Sequence, residues 1–357
     1  MMRTFADIAR PGRDRTGGQL PLALRTARTV ATPEFAGMTF LEVETKSALN
    51  KVSGMPFAWS INPYRGCSHA CTYCFARPTH RYLELSPGAD FENRIVVKTN
   101  VVEVLRAELA RPSWRGEKVA LGTNTDPYQR CEGRYRLMPG IIGALADAGT
   151  PLSILTKGTL ITRDRDLLVD AADRVDVTAA FTVGMLDDDT WRASEPGTPH
   201  PRARLDAVRT LNGAGVPTGV MLAPIMPGIN DDRDQLAALV DAAAAAGATH
   251  ITPIVLHLRP GVREVFWPWL EQAYPDLVGR YRGLYRTSQA PRAYRDAVQR
   301  FVEQRRARAR RRHGQPDHAA SARFASPPRP AAPGASGQTA SAQEVSRAHA
   351  VEQLRLL

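Results

Sequence analysis

Residues 62–80 read NPYRGCSHACTYCFARPTH and place Cys67, Cys71 and Cys74 in a C-x3-C-x2-C spacing. Three thiolates on one short loop can hold one corner of an iron–sulfur cube. A [4Fe–4S] cluster usually takes four cysteines, so three local ligands leave one iron open. Gly66 lets the chain turn sharply into the loop. Tyr73, just before the third cysteine, is placed to cover the cluster or shape the pocket beside it. Zinc is the competing reading. A structural zinc needs four tight N or S ligands, and the fourth would have to be His69, His80 or Cys131, with no second Cys-x-x-Cys knuckle in the chain. A disulfide fits worse, because three clustered cysteines cannot all pair and nothing marks the chain as secreted. The spacing favours a cluster, with zinc as the alternative.

Outward from this loop, strand and helix alternate at roughly thirty to forty residues. Strands are expected at residues 57–62, 118–123, 152–157, 175–183, 217–225 and 250–258, and helices at 101–110, 140–149, 164–173, 201–212 and 231–247. The first helix stops before Pro112, and the second ends on Gly149. Asp231, Asp232 and Asp234 suit the positive end of the last helix dipole. Six such units predict an α/β fold, a parallel sheet with outer helices, and they are too few to close an eight-stranded barrel. Residues 39–52 alternate briefly and then read as helical. Residues 262–274 and 290–312 read as further helices, the second running into RRARARRRH at 305–313. The expected division is a flexible leader at 1–37, a core at 38–290, a basic helix at 291–313 and an Ala/Ser/Pro-rich disordered tail at 314–357.

The chain has 357 residues, 43% of them hydrophobic, enough for one large core. Its net charge is +11, but ten Lys and Arg against four Asp and Glu after residue 300 account for +6 of it. The body is only mildly basic, and the overall charge overstates the case for nucleic acid. Four cysteines, three of them clustered, fit a reducing compartment. The N-terminus lacks an uninterrupted apolar run, and the apolar stretch at 236–248 contains Asp241 and is too short to span a bilayer. The expected location is cytoplasmic, with no membrane partner.

At the cysteine motif the sequence resembles the radical S-adenosylmethionine (SAM) superfamily, whose signature is C-x3-C-x2-C with an aromatic before the last cysteine. TDPYQ at 125–129, LTKG at 155–158, EPGT at 195–198, Arg204–Leu205 and APIMPGIND at 223–231 look like its spore photoproduct lyase-like branch, in particular its uncharacterised actinobacterial members. The likeness runs from about residue 39 to about residue 286. It implies a partial (β/α)6 TIM-like barrel with C-terminal helices. It also implies a [4Fe–4S] cluster on Cys67, Cys71 and Cys74 whose open iron chelates SAM. The family reaction is reductive cleavage of SAM to a 5′-deoxyadenosyl radical that abstracts hydrogen from a substrate. The potential required, near or below roughly −400 mV, implies a low-potential electron donor of the ferredoxin or flavodoxin type.

Sites in parallel βα sheets gather at the C-terminal ends of the strands, and the candidate SAM residues fall there. The resemblance gives Gly122, Thr123, Asn124, Thr125 and Asp126 to the methionyl amino group; their small oxygen-bearing side chains can accept from an ammonium, though they equally suit a turn. It gives Lys157 to the SAM carboxylate or sugar, and Ala223 to adenine through its backbone. Tyr73 and Thr182 complete the set; the match at Thr182 is weakened by a longer following loop. Glu195 and Arg204 are expected to form a salt bridge fixing that loop. His69 and His80 flank the cluster without ligating it. Spore photoproduct lyase carries a hydrogen-donating cysteine where this chain has Leu121 and Gly122. Cys131, five residues after Asp126, is then either a displaced donor or a small buried hydrophobe. The expected substrate is a nucleic-acid base, damaged or modified, with a peptide, protein or small metabolite as the alternative. The opposing class is a zinc- or cluster-stabilised nucleic-acid-binding module without turnover. The strand–helix rhythm counts against it, as does the lack of an aromatic-rich RNA-binding motif.

Overall fold

The computed structural model describes residues 27–312 together with the short strand at residues 10–11. The strands are β1 (Arg10–Pro11), β2 (Arg28–Val30), β3 (Thr39–Val43), β4 (Asn50–Lys51), β5 (Trp59–Ile61), β6 (Tyr64–Arg65), β7 (Arg94–Lys98), β8 (Val119–Leu121), β9 (Leu152–Thr156), β10 (Val177–Thr182), β11 (Thr218–Ile225) and β12 (Ile251–Val255). The helices are α1 (Ala89–Asn93), α2 (Val101–Leu109), α3 (Glu132–Tyr135), α4 (Leu137–Asp147), α5 (Arg165–Ala172), α6 (Asp188–Ser194), α7 (Pro201–Gly213), α8 (Arg233–Ala245), α9 (Arg263–Ala273), α10 (Val278–Leu284) and α11 (Arg292–Arg312).

The larger sheet runs β12-β11-β10-β9-β8-β5-β4. Its first six strands pair in parallel and in sequence order, with β6 and β7 set aside in a second sheet, and β4 closes one edge antiparallel. Among the described residues no pairing joins β12 to β4, so the barrel is open. This is the expected six-stranded partial barrel. Both faces of such a sheet are covered, so its strands are short apolar runs. VAL, LSILT and VTAAFT are nearly all buried, and the main core lies between them and α2, α4, α5, α7 and α8.

A second sheet, β1-β2-β3-β7-β6, was not expected. β3 pairs parallel with β7, and β2 pairs antiparallel with β3. Two expectations are corrected here. Residues 27–37 are not a loose leader: Ala27 and Val30 are fully buried, and β2 is a paired strand. Residues 44–52 are not helical; Ser47, Ala48 and Leu49 instead wrap the carboxylate of Glu108 on α2. The leader before residue 27, apart from β1, and the tail after residue 312 lie outside the described residues.

The second sheet matters to the site because β6 and β7 bracket the cysteine loop. β6 leads straight into it, and β7 receives the chain after it. Lys98 on β7 bonds its N–H to the Pro63 carbonyl at 3.1 Å, which holds the loop's entrance against the sheet.

Candidate active site

The cysteine loop is built backbone first. The Cys67 N–H donates to Phe91 O at 2.9 Å, the Ala70 N–H to Cys67 O at 3.2 Å and the Cys74 N–H to Cys71 O at 3.2 Å. Gly66 has φ +82°, and a Cβ there would stand 2.8 Å from Phe91 O, so only glycine makes this turn. Ala70 holds φ +54° without being glycine, a local strain of about 1 kcal/mol that the surrounding bonds must offset. Arg77 supplies many of them. It is fully buried, and it donates to Cys71 O at 2.9 Å, Ala70 O at 3.0 Å and Pro87 O at 3.0 Å while pairing with Glu92. The sequence reading passed over Arg77. Its only visible signal was an arginine three residues past the last cysteine, where a helix had no claim on it.

All three cysteines are free thiols. Burial pushes the Cys67 thiol well up and the Cys71 thiol to about 12. Such buried thiols ionise only against a bound cation, and a coordinating metal deprotonates them. Cys131 is far from being a fourth ligand in character: it is wholly buried in the main core, at the start of α3. The hydrogen-donor role raised for it finds no opening to a substrate. A structural zinc would need a fourth tight N or S ligand beside the three thiols, but Cys131 lies in the core, His69 Nδ1 faces Asp126 and His80 Nε2 bonds Arg94 O. The donor set fits a cluster held on three thiolates.

The strand ends meet around this loop. After β8, Gly122 has φ +85°, and a Cβ there would stand 2.0 Å from Leu155 O. The segment that follows is tied to the cysteine loop. Thr125 Oγ1 donates to Gly66 O at 2.7 Å, and Asn62 Oδ1 receives the Asn124 N–H at 2.9 Å, with Thr123 Oγ1 beside it. Gln129, fully buried, donates to Gly66 O and accepts from the Ser68 N–H at 2.9 Å. Asp126 turns toward β9: it accepts from Thr156 Oγ1 at 2.6 Å and the Lys157 N–H at 2.7 Å, and faces His69 Nδ1 at 3.3 Å. Burial pushes its carboxyl up, but His69 and these hydrogen bonds outweigh that and bring it to about 2. Thr125 and Asp126 thus spend their side chains on holding the rim together, which the turn-forming reading of this segment allowed.

On the other side, Glu195 gathers three partners. It accepts from the Tyr73 hydroxyl and from Thr198 Oγ1 at 3.2 Å, and it pairs with Arg204, which also donates to Thr182 O at 3.0 Å and Pro199 O at 2.8 Å. Burial would raise the Glu195 carboxyl, yet Arg204 and then Lys157 hold it below the usual carboxylate range. The Lys157 ammonium lies over the Tyr73 ring, 5.6 Å from its centroid. The expected Glu195–Arg204 bridge is therefore present, and it reaches further than the loop, fixing Tyr73 from behind. Ala223, near the C-terminal end of β11, makes a cis bond to Pro224 beside Gly184. The Thr72 hydroxyl, between Cys71 and Tyr73, is buried with no partner. Cys67, Cys71, Cys74, Tyr73, Asn124, Lys157, Thr182 and Ala223 thus come from one loop and four successive strand ends of the open barrel. An ammonium at the end of β9 and an orphaned hydroxyl beside the thiols suit a zwitterionic ligand next to a cluster.

A family model for the Radical SAM superfamily matches residues 61–240. An uncharacterised protein of Mycobacterium tuberculosis (strain ATCC 25618 / H37Rv) is 53% identical over 300 residues, covering 83% of this chain and 86% of the relative. An uncharacterised protein of Methanocaldococcus jannaschii is 26% identical over 193 residues, covering 54% and 69%. Among solved structures, spore photoproduct lyase complexed with dinucleoside spore photoproduct superposes with a TM-score of 0.55 at 16% identity, covering 76% of this chain and 79% of that one. A lyase variant with bound AdoMet and dinucleoside spore photoproduct gives 0.53 at the same identity and coverage. The fold of these structures is the open barrel described above. With the family model spanning the cysteine loop and the strand ends around it, the chain belongs to the radical SAM superfamily.

Proposed function

We propose that Cys67, Cys71 and Cys74 hold a [4Fe–4S] cluster whose fourth iron takes SAM, and that the substrate is a nucleic-acid base, damaged or modified. The observation that carries the cofactor reading is the isolation of three free thiols on one loop at the barrel rim, with the fourth cysteine in the core. When bound, the cluster and SAM supply a one-electron cleavage and a 5′-deoxyadenosyl radical able to take a substrate hydrogen. This chain's residues orient and enclose. Lys157 offers its ammonium to the SAM carboxylate or sugar hydroxyls. The Asn124 side chain and the backbone after Gly122 face the methionyl amino group. Ala223 and its neighbours present backbone groups to adenine. Tyr73, pinned by Glu195, forms a rigid wall, and Arg204 keeps that wall charge-balanced. Substrate identity rests on the fold shared with a lyase that binds a dinucleoside, together with the mildly basic body.

The test is anaerobic reconstitution with iron and sulfide, reduction, then addition of SAM with and without a deuterated oligonucleotide. About four irons per chain and 5′-deoxyadenosine as product are expected. Deuterium in the 5′-deoxyadenosine would support the base substrate, and its absence with every oligonucleotide would redirect the search to peptides or small metabolites. A colourless zinc protein would defeat the cofactor reading and favour a binding module without turnover.

A further inference from the structure

The three cysteines do not have the same surroundings. Cys67 and Cys71 are buried, whereas Cys74 is half-buried. The residue after Cys74 is Phe75, 47% exposed and one of three large apolar side chains so placed among the described residues. A single exposed phenylalanine is ordinary, but this one is clamped. The Arg259 guanidinium lies over its ring, 5.8 Å from the centroid, and donates from Nε to the Phe75 carbonyl at 3.1 Å and from a second nitrogen to the same oxygen. Exposed His257 lies within the field of Arg259 and Arg295. Residues 256–295, which follow β12, hold seven arginines against three acids.

We infer that the Phe75–Arg259 patch is the docking surface for a small protein electron carrier with an acidic face. This rests on the cluster reading above. The patch adjoins Cys74, the least buried of the three cluster cysteines, so a carrier seated there lies next to a cluster ligand in the chain. An aromatic ring under an arginine is the pairing that anchors small interfaces. Transient redox partners use small contacts, and the Arg259 guanidinium with the net positive segment after β12 offers charge to steer an acidic surface. The carrier loses one electron and the oxidised cluster gains it; no bond forms and no proton moves.

The experiment follows the cluster's visible absorbance in the reconstituted full chain. One reductant is a photoreduced plant-type [2Fe–2S] ferredoxin of net negative charge; the other is photoreduced 5-deazariboflavin, small and uncharged. For Arg259→Glu we expect ferredoxin-driven reduction to slow by at least about tenfold and to lose most of its salt dependence, while the deazaflavin rate stays within about twofold. Phe75→Ser leaves the Arg259 bonds to the backbone possible and should slow the ferredoxin rate alone as well; it carries the test if Arg259→Glu takes up little iron. Arg308→Glu, on exposed α11, should change neither rate. Unaltered ferredoxin rates in both patch variants, an equal loss in Arg308→Glu, or a wild type reduced by deazaflavin but not by ferredoxin would overturn the inference and leave the cluster reading standing. A chain that takes up no four-iron cluster defeats the cluster reading, and this one with it, and iron analysis separates that case.

Discussion

Glu195 is fully buried, as is its partner Arg204, and the pair is satisfied by Tyr73, Thr198, Pro199 and Thr182. Removing one charge of such a pair strands the other, which costs about 3–5 kcal/mol. Glu195→Gln should therefore lower the denaturation midpoint markedly, by more than any exposed pair on α5 or α6. Arg192 with Asp188 makes the comparison: that exposed pair is worth under about 1 kcal/mol. A second single-residue prediction concerns pH. His80 is buried against Phe91 and bonds Arg94 O at 3.1 Å, with its other ring nitrogen unpartnered, and burial brings it down to about 4. The unfolded chain binds a proton near pH 6.5 and the folded one does not until about 4, so stability is present above 6.5 and falls as pH drops toward 4. The loss is up to about 3 kcal/mol. Urea midpoints at pH 7.5 and 5 should converge in His80→Gln relative to wild type; an unchanged gap would refute the assignment. The sequence let the cysteines, Lys157 and the Glu195–Arg204 bridge be read because each sits in a motif of residues with little other reason to be adjacent. Arg77 lies outside every motif, and Gln129, though it ends TDPYQ, carries no sign there of what it does. Their work is done across gaps of up to 63 residues by hydrogen bonds to backbone carbonyls, and a carbonyl carries no sequence.

Between elements, the site depends on close approach. The EPGT turn after α6 crosses the cysteine loop where the Gly197 N–H reaches His69 O at 3.1 Å, and a Cβ on Gly197 would stand 2.0 Å from Ser68 O. Ser68 O, with His69 Cα at 3.0 Å from the same Cβ, is a backbone obstacle that no rotamer change relieves. Gly197→Ala should push the cysteine loop off its seat. The expected outcome is iron content below about half of wild type with the far-ultraviolet helical signal unchanged. Gly213→Ala at the end of α7, where a Cβ meets nothing within 4 Å, should keep full iron. Retained iron in Gly197→Ala would mean that the turn can shift without disturbing the thiols. The six parallel strands were legible since each is a short apolar run followed by a helix of amphipathic spacing. β7 was not, although RIVVK is a fair strand sequence. It follows the short α1 beyond the cysteine loop, and its partner β3 lies over fifty residues back, a parallel pairing that no turn signal announces. The segment after β3 misled for a related reason: its apolar Ala48 and Leu49 are buried by capping Glu108 rather than by a helix face.

Across the whole molecule, α11 has its two ends at opposite faces of the barrel. Near its start Tyr294 donates to Asp231 at 2.6 Å, just beyond the C-terminal end of β11; near its finish Arg310 donates to the carbonyl of Thr249, just before β12 begins. Parallel strands put those ends on opposite faces, and 21 residues of helix span about 30 Å. The arginine-rich end, with Arg308, Arg311 and Arg312 exposed, therefore lies away from the cysteine rim. It can hold phosphates, but it does not place a base at the strand ends. The triple variant Arg308→Gln, Arg311→Gln, Arg312→Gln should weaken duplex binding. If all three contact phosphate, it should reduce the salt dependence of log K by about 2.7, from about 0.9 per contact. SAM cleavage measured without nucleic acid should be unchanged, because none of the three touches the rim. Binding titrations from about 50 to 200 mM salt, with 5′-deoxyadenosine measured on the same preparations, separate the two effects. A cleavage rate that falls together with the affinity would show that the two faces are coupled through α11.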